Sequence, residues 1–419
     1  MKSNQKKAPL ALNRPQKHLG MAGMIFFVII ADMCVPLSTD MYLPAMPTMT
    51  GHLTSATDAL VKSTVTVFFL FYALGMLIWG PLSDKYGRKK PLLAGLLLYS
   101  AATLLCGIAV NIYVLILGRI LQGLGAASIT AISYAMINDS FTGKTKETVL
   151  AIAQTLSGFG PVLAPVVGSW VLLFTSWRGV FFVLLGFGMI GIILTLLYEE
   201  TVYEEERFQG SVFSTFGQLG MVLKNKAFTS IVAIYAILLL PLYAYLNLSS
   251  YIYVNQFGCT EQVYSYYHAA AALLSMVGPA LYIKFLSDVN KNTFTIICFG
   301  GCVATGALMM TVGSMSPNIF CALIFSYYML TNHLRPYSVN LILEQNKSDV
   351  GSASSLMNMA NNALAVVGML LASLTFTNMV FALGVITLIG TAIPLIAWIA
   401  LMYSKIMING FYDKPGKRK

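Results

Sequence analysis

Charge is what this chain has least of. Only 10% of its 419 residues are Asp, Glu, Lys or Arg, where a soluble domain carries about 25%. Hydrophobic residues make up 57%. A soluble globular domain is therefore excluded, and an all-α polytopic membrane protein is implied. Cysteine is scarce as well. The six cysteines, at 34, 106, 259, 298, 302 and 321, fall in or beside apolar segments. Cys298 and Cys302 stand at i, i+4, but no His or acid completes a ligand set. Neither a disulfide framework nor a metal site is expected. A phosphate-binding glycine loop and a nucleophile elbow are missing from the sequence. An enzyme is not expected, ATP is not the expected driver, and no cofactor is called for.

What the chain has instead is long apolar runs. A membrane-crossing helix needs about 20 such residues. Twelve segments qualify: 20–46, 59–80, 91–110, 113–138, 146–173, 177–198, 227–255, 262–286, 292–313, 318–344, 350–375 and 378–404. Residues 1–19 are polar and basic and lead straight into the first segment, which is expected to act as its own insertion signal. The chain thus divides into a basic tail (1–19), six spans (20–198), a linker (199–226), six more spans (227–404) and a second basic tail (405–419). The linker acids Glu199, Glu200, Glu204, Glu205 and Glu206 read as a solvated face. With twelve spans both tails share one side, and 22 of the 26 Lys and Arg residues fall there. Lys62 and Arg178 lie on the opposite side; Arg119 and Arg335 lie inside spans. Positive loops stay cytosolic, so both termini are expected in the cytosol. The net charge of +10 is read as topology and lipid contact, not nucleic-acid binding.

The first span carries two acids, in Ala31-Asp32-Met33-Cys34-Val35-Pro36-Leu37-Ser38-Thr39-Asp40-Met41-Tyr42-Leu43-Pro44. A charged Asp in hydrocarbon costs about 2.5–3.5 kcal/mol on insertion scales. Eight residues of helix give about 12 Å of rise and about 80° of rotation, so Asp32 and Asp40 are able to face one interior. Pro36 weakens the helix between them. In the fourth span, Leu117-Gly118-Arg119-Ile120-Leu121-Gln122-Gly123 places Arg119 at about the depth of Asp40, roughly 9 Å from the boundary. An Asp40–Arg119 ion pair is expected. Asp32, nearer the midplane and without a partner, is the better proton carrier.

Two further motifs and a repeat complete the pattern. Gly80-Pro81-Leu82-Ser83-Asp84-Lys85-Tyr86-Gly87-Arg88-Lys89-Lys90-Pro91 is a tight basic loop after the second span. Gly87 permits its turn, Asp84 caps or pairs, and Arg88 to Lys90 are expected at lipid headgroups. Asp139, ending the fourth span, is expected in the same latch. In the fifth span, Gly158-Phe159-Gly160-Pro161-Val162-Leu163-Ala164-Pro165-Val166-Val167-Gly168 allows close helix approach and bends the ladder twice. Ser287-Asp288 stands 204 residues after Ser83-Asp84, and Glu344 stands 205 after Asp139. Two landmarks at nearly one offset argue for a six-plus-six duplication.

As a constellation, the loop after the second span resembles the signature loop of the major facilitator superfamily, where its charges latch one side of the carrier. The Arg119-Ile120-Leu121-Gln122-Gly123 segment resembles that superfamily's proton-linked fourth-helix motif. The fifth-span glycines resemble the motif of its exporters. Thr39-Asp40-Met41-Tyr42-Leu43-Pro44-Ala45-Met46-Pro47 is similar to the first-helix signature of the bicyclomycin/chloramphenicol resistance group of twelve-helix drug/proton antiporters. The resemblance implies twelve transmembrane helices in two pseudo-symmetric six-helix bundles. It implies proton-coupled efflux of lipophilic neutral or cationic drugs, with Asp32 and Asp40 binding drug and proton and Arg119 sharing the coupling.

Other polar residues are candidates to line the substrate cavity: Tyr42, Tyr243, Tyr245, His333, Arg335, Asn358 and Asn361. A lone His268 in the eighth span, after Tyr264, Tyr266 and Tyr267, reads as structural, with a proton-linked role as the alternative. The expected partners are a small-molecule drug, protons and membrane lipid, for a monomer in the inner membrane of a bacterium. The alternatives left open are a metabolite exporter, a proton-coupled sugar or nucleoside symporter, and a membrane sensor or scaffold that transports nothing.

Overall fold

The structure, a computed structural model, describes residues 16–203, 205, 207, 222–286, 289–346 and 350–409. Most of both tails, most of the linker, and Ser287, Asp288, Lys347 and Asp349 lie outside the described residues. The described chain is helical: α1 (Gly20–Asp40), α2 (Met46–Met49), α3 (Asp58–Tyr86), α4 (Lys89–Gly107), α5 (Ile112–Ser140), α6 (Gly143–Phe174), α7 (Trp177–Leu197), α8 (Lys226–Leu238), α9 (Leu240–Tyr251), α10 (Glu261–Ser275), α11 (Val277–Leu281), α12 (Lys291–Thr311), α13 (Pro317–Glu344), α14 (Val350–Ser373) and α15 (Met379–Tyr403). Only helices satisfy every backbone group within one segment, and in lipid that requirement decides the fold. Several helix starts carry their own caps, with Thr57, Asn111, Thr260 and Ser316 accepting backbone N–H groups of the first turn.

Among the described residues, ten helical runs are long and apolar enough to cross a membrane. Two more cross the bundle without meeting that standard: the broken eighth span, at 261–286, and α13. Their polar content explains this. The eighth span carries Tyr264, Tyr266, Tyr267 and His268, and α13 carries Asn332, His333, Arg335 and Asn340. Helices with such residues face a bundle interior or a cavity, not lipid.

Several spans are interrupted. The seventh breaks at Leu239, just before Pro241. The eighth breaks at Met276 and ends in a π-helical turn, Tyr282–Leu286. The first tightens into a 3-10 turn, Leu43–Ala45, after Asp40.

The apolar cores show how the halves meet. At the end remote from the termini, one cluster joins both halves, with Tyr42, Met46 and Val65 packed among Leu248, Tyr251 and Ala271. Toward the termini the cores are separate. Phe27, Tyr99, Ile132 and Tyr198 belong to one, and Tyr235, Phe299, Leu341 and Trp398 to the other. Polar contacts reinforce the far-end closure. Tyr251 Oη donates to the Met46 carbonyl at 3.4 Å, and Gln262 Nε2 to the Ser169 carbonyl at 3.1 Å. The bundle is closed at the far end, with its halves keeping their own cores at the terminus end.

Candidate functional site

Asp40 is the last residue of α1 and is buried. Its carboxylate accepts one side-chain hydrogen bond, from Thr39 Oγ1 at 3.1 Å. The Tyr243, Tyr264 and Tyr328 hydroxyls, all from the second half, lie in its electrostatic field. Tyr243 also feels Arg335, which is exposed on α13. Its ring packs edge-on against Phe69 of the first half, centroids 5.8 Å apart. Phenols of one half thus feel the acid of the other. Asp32 lies on the same helix two turns earlier; its side chain lies outside the described residues.

The expected Asp40–Arg119 ion pair is not formed. Arg119 Nη1 donates to the Ser38 carbonyl at 3.0 Å and to Gln122 Oε1 at 2.6 Å, and Nε donates to the Thr64 carbonyl at 3.5 Å. Its guanidinium lies 4.4 Å from the Phe68 ring centroid and 4.8 Å from that of Tyr42. The reason is local. Where α1 tightens, Tyr42 N bonds to the Thr39 carbonyl and leaves the Ser38 carbonyl without its usual i+4 donor. A cation at the negative end of a helix is favourable, and Arg119 fills that place. Two residues on, Asp40 is turned about 200° around the helix, toward the other half. Depth alone did not reveal that rotation.

The sixth helix supports this site. A Cβ on Gly160 would lie 2.5 Å from Pro36 Cβ, and one on Gly168 would lie 2.1 Å from the Met41 carbonyl oxygen. Gly158 instead faces Met276 of the second half. Pro161 and Pro165 both lie within α6. The glycines of the fifth-span motif therefore let α6 seat directly on the acidic end of α1.

The loop after α3 forms a latch. Arg88 Nε donates to Asp139 at 2.7 Å, and Nη1 donates to Asp84 at 2.5 Å and to Ser83 Oγ at 2.9 Å. Burial works against the Arg88 charge, but the Asp139 and Asp84 carboxylates outweigh it and hold the guanidinium pKa above its ordinary value. Gly87 has φ +86°. A Cβ there would lie 2.5 Å from Glu200 Oε2. Gly80 has open space around it.

Glu200 is the residue sequence reasoning missed. Far from being a solvated face, its carboxylate accepts the backbone N–H groups of Arg88 and Lys89, both at 3.0 Å, and so caps α4. Lys89 returns the favour by donating to the Leu196 and Tyr198 carbonyls at the end of α7. Arg88 and Lys89 are thus committed to protein partners and not to lipid headgroups, while Lys90 is exposed. The signal in the sequence was an acid set one helix end away from a basic loop; only folding brings them together.

The remaining candidates separate into two groups. Tyr42 is sealed in the far-end core, its hydroxyl bonded to Thr64 Oγ1 at 2.9 Å and its ring against Phe181. Tyr245 is equally buried, stacked on His268. By contrast Tyr243, His333 and Asn361 are half-buried, and Arg335 and Asn358 are exposed. His333 Nδ1 lies 2.5 Å from the Met329 carbonyl. These residues come from α9, α13 and α14, the helices of the second half that carry polar faces. The six cysteines are free thiols; Cys34, Cys106, Cys298 and Cys302 are buried as small apolar fillers.

A twelve-span bundle with a buried acid at the junction of its halves and a charged latch at one end is a secondary-transporter architecture. The chain belongs to the Major Facilitator Superfamily, whose family profile matches residues 28–369. It is a multi-pass membrane transporter. It is 27% identical to the MFS-type transporter YdgK of Bacillus subtilis (strain 168) over 89% of this chain and 94% of that protein. It is 28% identical to the multidrug resistance protein MdtL of Klebsiella pneumoniae (strain 342) over 62% of this chain and 64% of that protein. In three dimensions it is similar to a D-xylose-proton symporter, with TM-score 0.70, 12% identity, and coverage of 88% of this chain and 96% of that one. That last likeness concerns the fold alone.

Proposed function

We propose that this transporter exports lipophilic neutral or cationic small molecules across the cytoplasmic membrane of a bacterium in exchange for protons. The observation that carries the reading is Asp40: a buried carboxylate in a membrane span, joined to no cation by a salt bridge among the described residues, at the junction of the two halves. Such a group is expensive in hydrocarbon and is retained where it binds something. A buried carboxylate takes either a proton or a cationic or hydrogen-bonding ligand. When the cavity faces the cytosol, ligand displaces the proton; when it faces outward, protonation displaces the ligand. Competition for one site is the coupling. Asp32, two turns nearer the middle of the span, is a second proton carrier in this scheme. With the termini in the cytosol, the basic residues and the Arg88 latch lie on the cytosolic side, and closure of the far end makes this the inward-facing state. The similarity to a multidrug resistance protein and the tight glycine seat of α6 on α1 support export over uptake.

The test is ethidium uptake into everted membrane vesicles under an imposed pH gradient, interior acid. Export by proton exchange predicts gradient-dependent accumulation that Asp40→Asn and Asp32→Asn each reduce at least tenfold. Gradient-driven loss of ethidium would indicate symport, and full activity in both variants would refute the scheme.

A further inference from the structure

A buried circuit of hydrogen bonds closes on Ser38, two residues before Asp40. Arg119 Nη1 donates to the Ser38 carbonyl at 3.0 Å and to Gln122 Oε1 at 2.6 Å. Gln122 Nε2 donates to Thr103 Oγ1 at 2.9 Å, and Thr103 Oγ1 donates to the Tyr99 carbonyl at 2.6 Å. The Tyr99 hydroxyl meets Ser38 Oγ at 2.7 Å and shuts the ring. The direction of that last bond follows from counting protons. Ser38 Oγ has one proton and gives it to the Cys34 carbonyl at 2.7 Å, so Tyr99 is the donor. Ser38, Tyr99, Thr103, Arg119 and Gln122 are all 0% exposed, and in so dry a place each bond is strong and its loss costly.

Backbone packing fixes Tyr99 in turn. A Cβ on Gly125 of α5 would lie 2.6 Å from Tyr99 N, so α4 and α5 touch at this residue. Ser38 itself stands in a thinned stretch of α1. Pro36 offers no N–H to the Asp32 carbonyl, and the tightened end takes the i+4 donor away from the Ser38 carbonyl. The helix's own ladder holds this turn weakly, and bonds from α4 and α5 replace it. Asp40 lies two peptide units further on. Its side-chain hydrogen bond, from Thr39, is local, so the backbone sets its direction.

Resting on the proton-exchange reading above, we propose that Tyr99 is a positioning residue for that reaction. With Arg119 it grips Ser38 at two points, hydroxyl and carbonyl, and the grip turns Asp40 toward the second half. One bond alone leaves the end of α1 able to pivot about it; two bonds, joined through Gln122 and Thr103, do not. Tyr99 acts through Ser38 and touches neither ligand nor Asp40. The titratable groups around Asp40 are Tyr243, Tyr264 and Tyr328 of the second half, and those around the circuit are Cys34, Tyr42 and Cys106.

The experiment titrates ethidium binding to the purified protein in detergent across pH. Tyr99→Phe is expected to weaken binding about fivefold, the worth of one buried hydrogen bond, and to displace the pH midpoint of binding. Ser38→Ala removes the same bond from the other side and should do the same, which keeps the test open if Tyr99→Phe folds poorly. Because one bond is at stake, the double variant should bind within about twofold of the weaker single one. Ser100→Ala is the control: the neighbouring hydroxyl is also buried but has no hydrogen-bond partner among the described residues, and its loss should leave affinity and midpoint unchanged. In an Asp40→Asn background, Tyr99→Phe should cost less than about twofold. Wild-type affinity and midpoint in both Tyr99→Phe and Ser38→Ala overturn the positioning role. So does an equal loss with and without Asp40, which marks a purely structural bond. If Asp40→Asn itself keeps the wild-type pH dependence, the proton-exchange reading fails, and the role of Tyr99 falls with it.

Discussion

Arg119 Nη1 donates to the Ser38 carbonyl at 3.0 Å, and this bond, not an ion pair with Asp40, ties the fourth span to the first. It leaves the buried carboxylate without that cation as a partner. Replacing Arg119 with Gln removes a buried cation from two carbonyls and two ring faces, and about 2 kcal/mol of stability should be lost for the groups left unsatisfied. Since no pair exists, Asp40→Asn should not rescue it. In a double-mutant cycle by thermal unfolding in detergent, the two changes should couple by less than about 0.5 kcal/mol. A large coupling would restore the ion pair.

Gly87 is the tightest point of the latch. At φ +86° and ψ 171° its backbone is open to glycine alone, and an added Cβ meets the Glu200 carboxylate. Gly87→Ala is expected to destabilise the folded protein by about 1–3 kcal/mol, measured as a lowered thermal midpoint. Gly186→Ala, where nothing lies within 4 Å, is the control and should be neutral.

The alkaline limit of the latch follows from Arg88. Its folded pKa is raised above the ordinary value. Such a group stabilises fully below its unfolded pKa and loses that contribution as pH rises through the folded one. For a guanidinium both lie above the usable range, so latch stability should be flat on the alkaline side. Arg88→Lys substitutes an ammonium with an ordinary pKa of about 10.4 and cannot reach both carboxylates in a fork. The variant's latch contribution should hold up to about pH 10.4 and be lost relative to wild type as pH rises above that; parallel pH curves through that range would contradict this.

From sequence Lys62 is a simple topology mark. In the fold it is 2% exposed and sits over the Tyr251 ring of the other half at 4.8 Å. Tyr251→Leu should loosen the far-end seal. Spin labels at the exposed positions His52 and Asn255 should then report a longer distance population in the variant, and a smaller one in Tyr251→Phe, which keeps the ring under Lys62 and loses only the hydroxyl bond to the Met46 carbonyl.

Much of this was legible without coordinates. Twelve apolar runs and one basic face define the bundle because hydrocarbon tolerates little else. Asp84, Arg88 and Asp139 were grouped by motif, and they meet. What the sequence could not supply was rotation and long-range return. The direction of Asp40 depends on a tightened helix end, the cap role of Glu200 on a partner 112 positions away, and the circuit around Ser38 on side chains from three helices. No local pattern encodes these.

The most direct measurement is proton release when ethidium is added to purified protein in weakly buffered detergent. The account predicts release from wild type, and from Asp40→Asn ethidium binding with release cut at least to half. Undiminished proton release from Asp40→Asn, with binding intact, would contradict competition at this carboxylate.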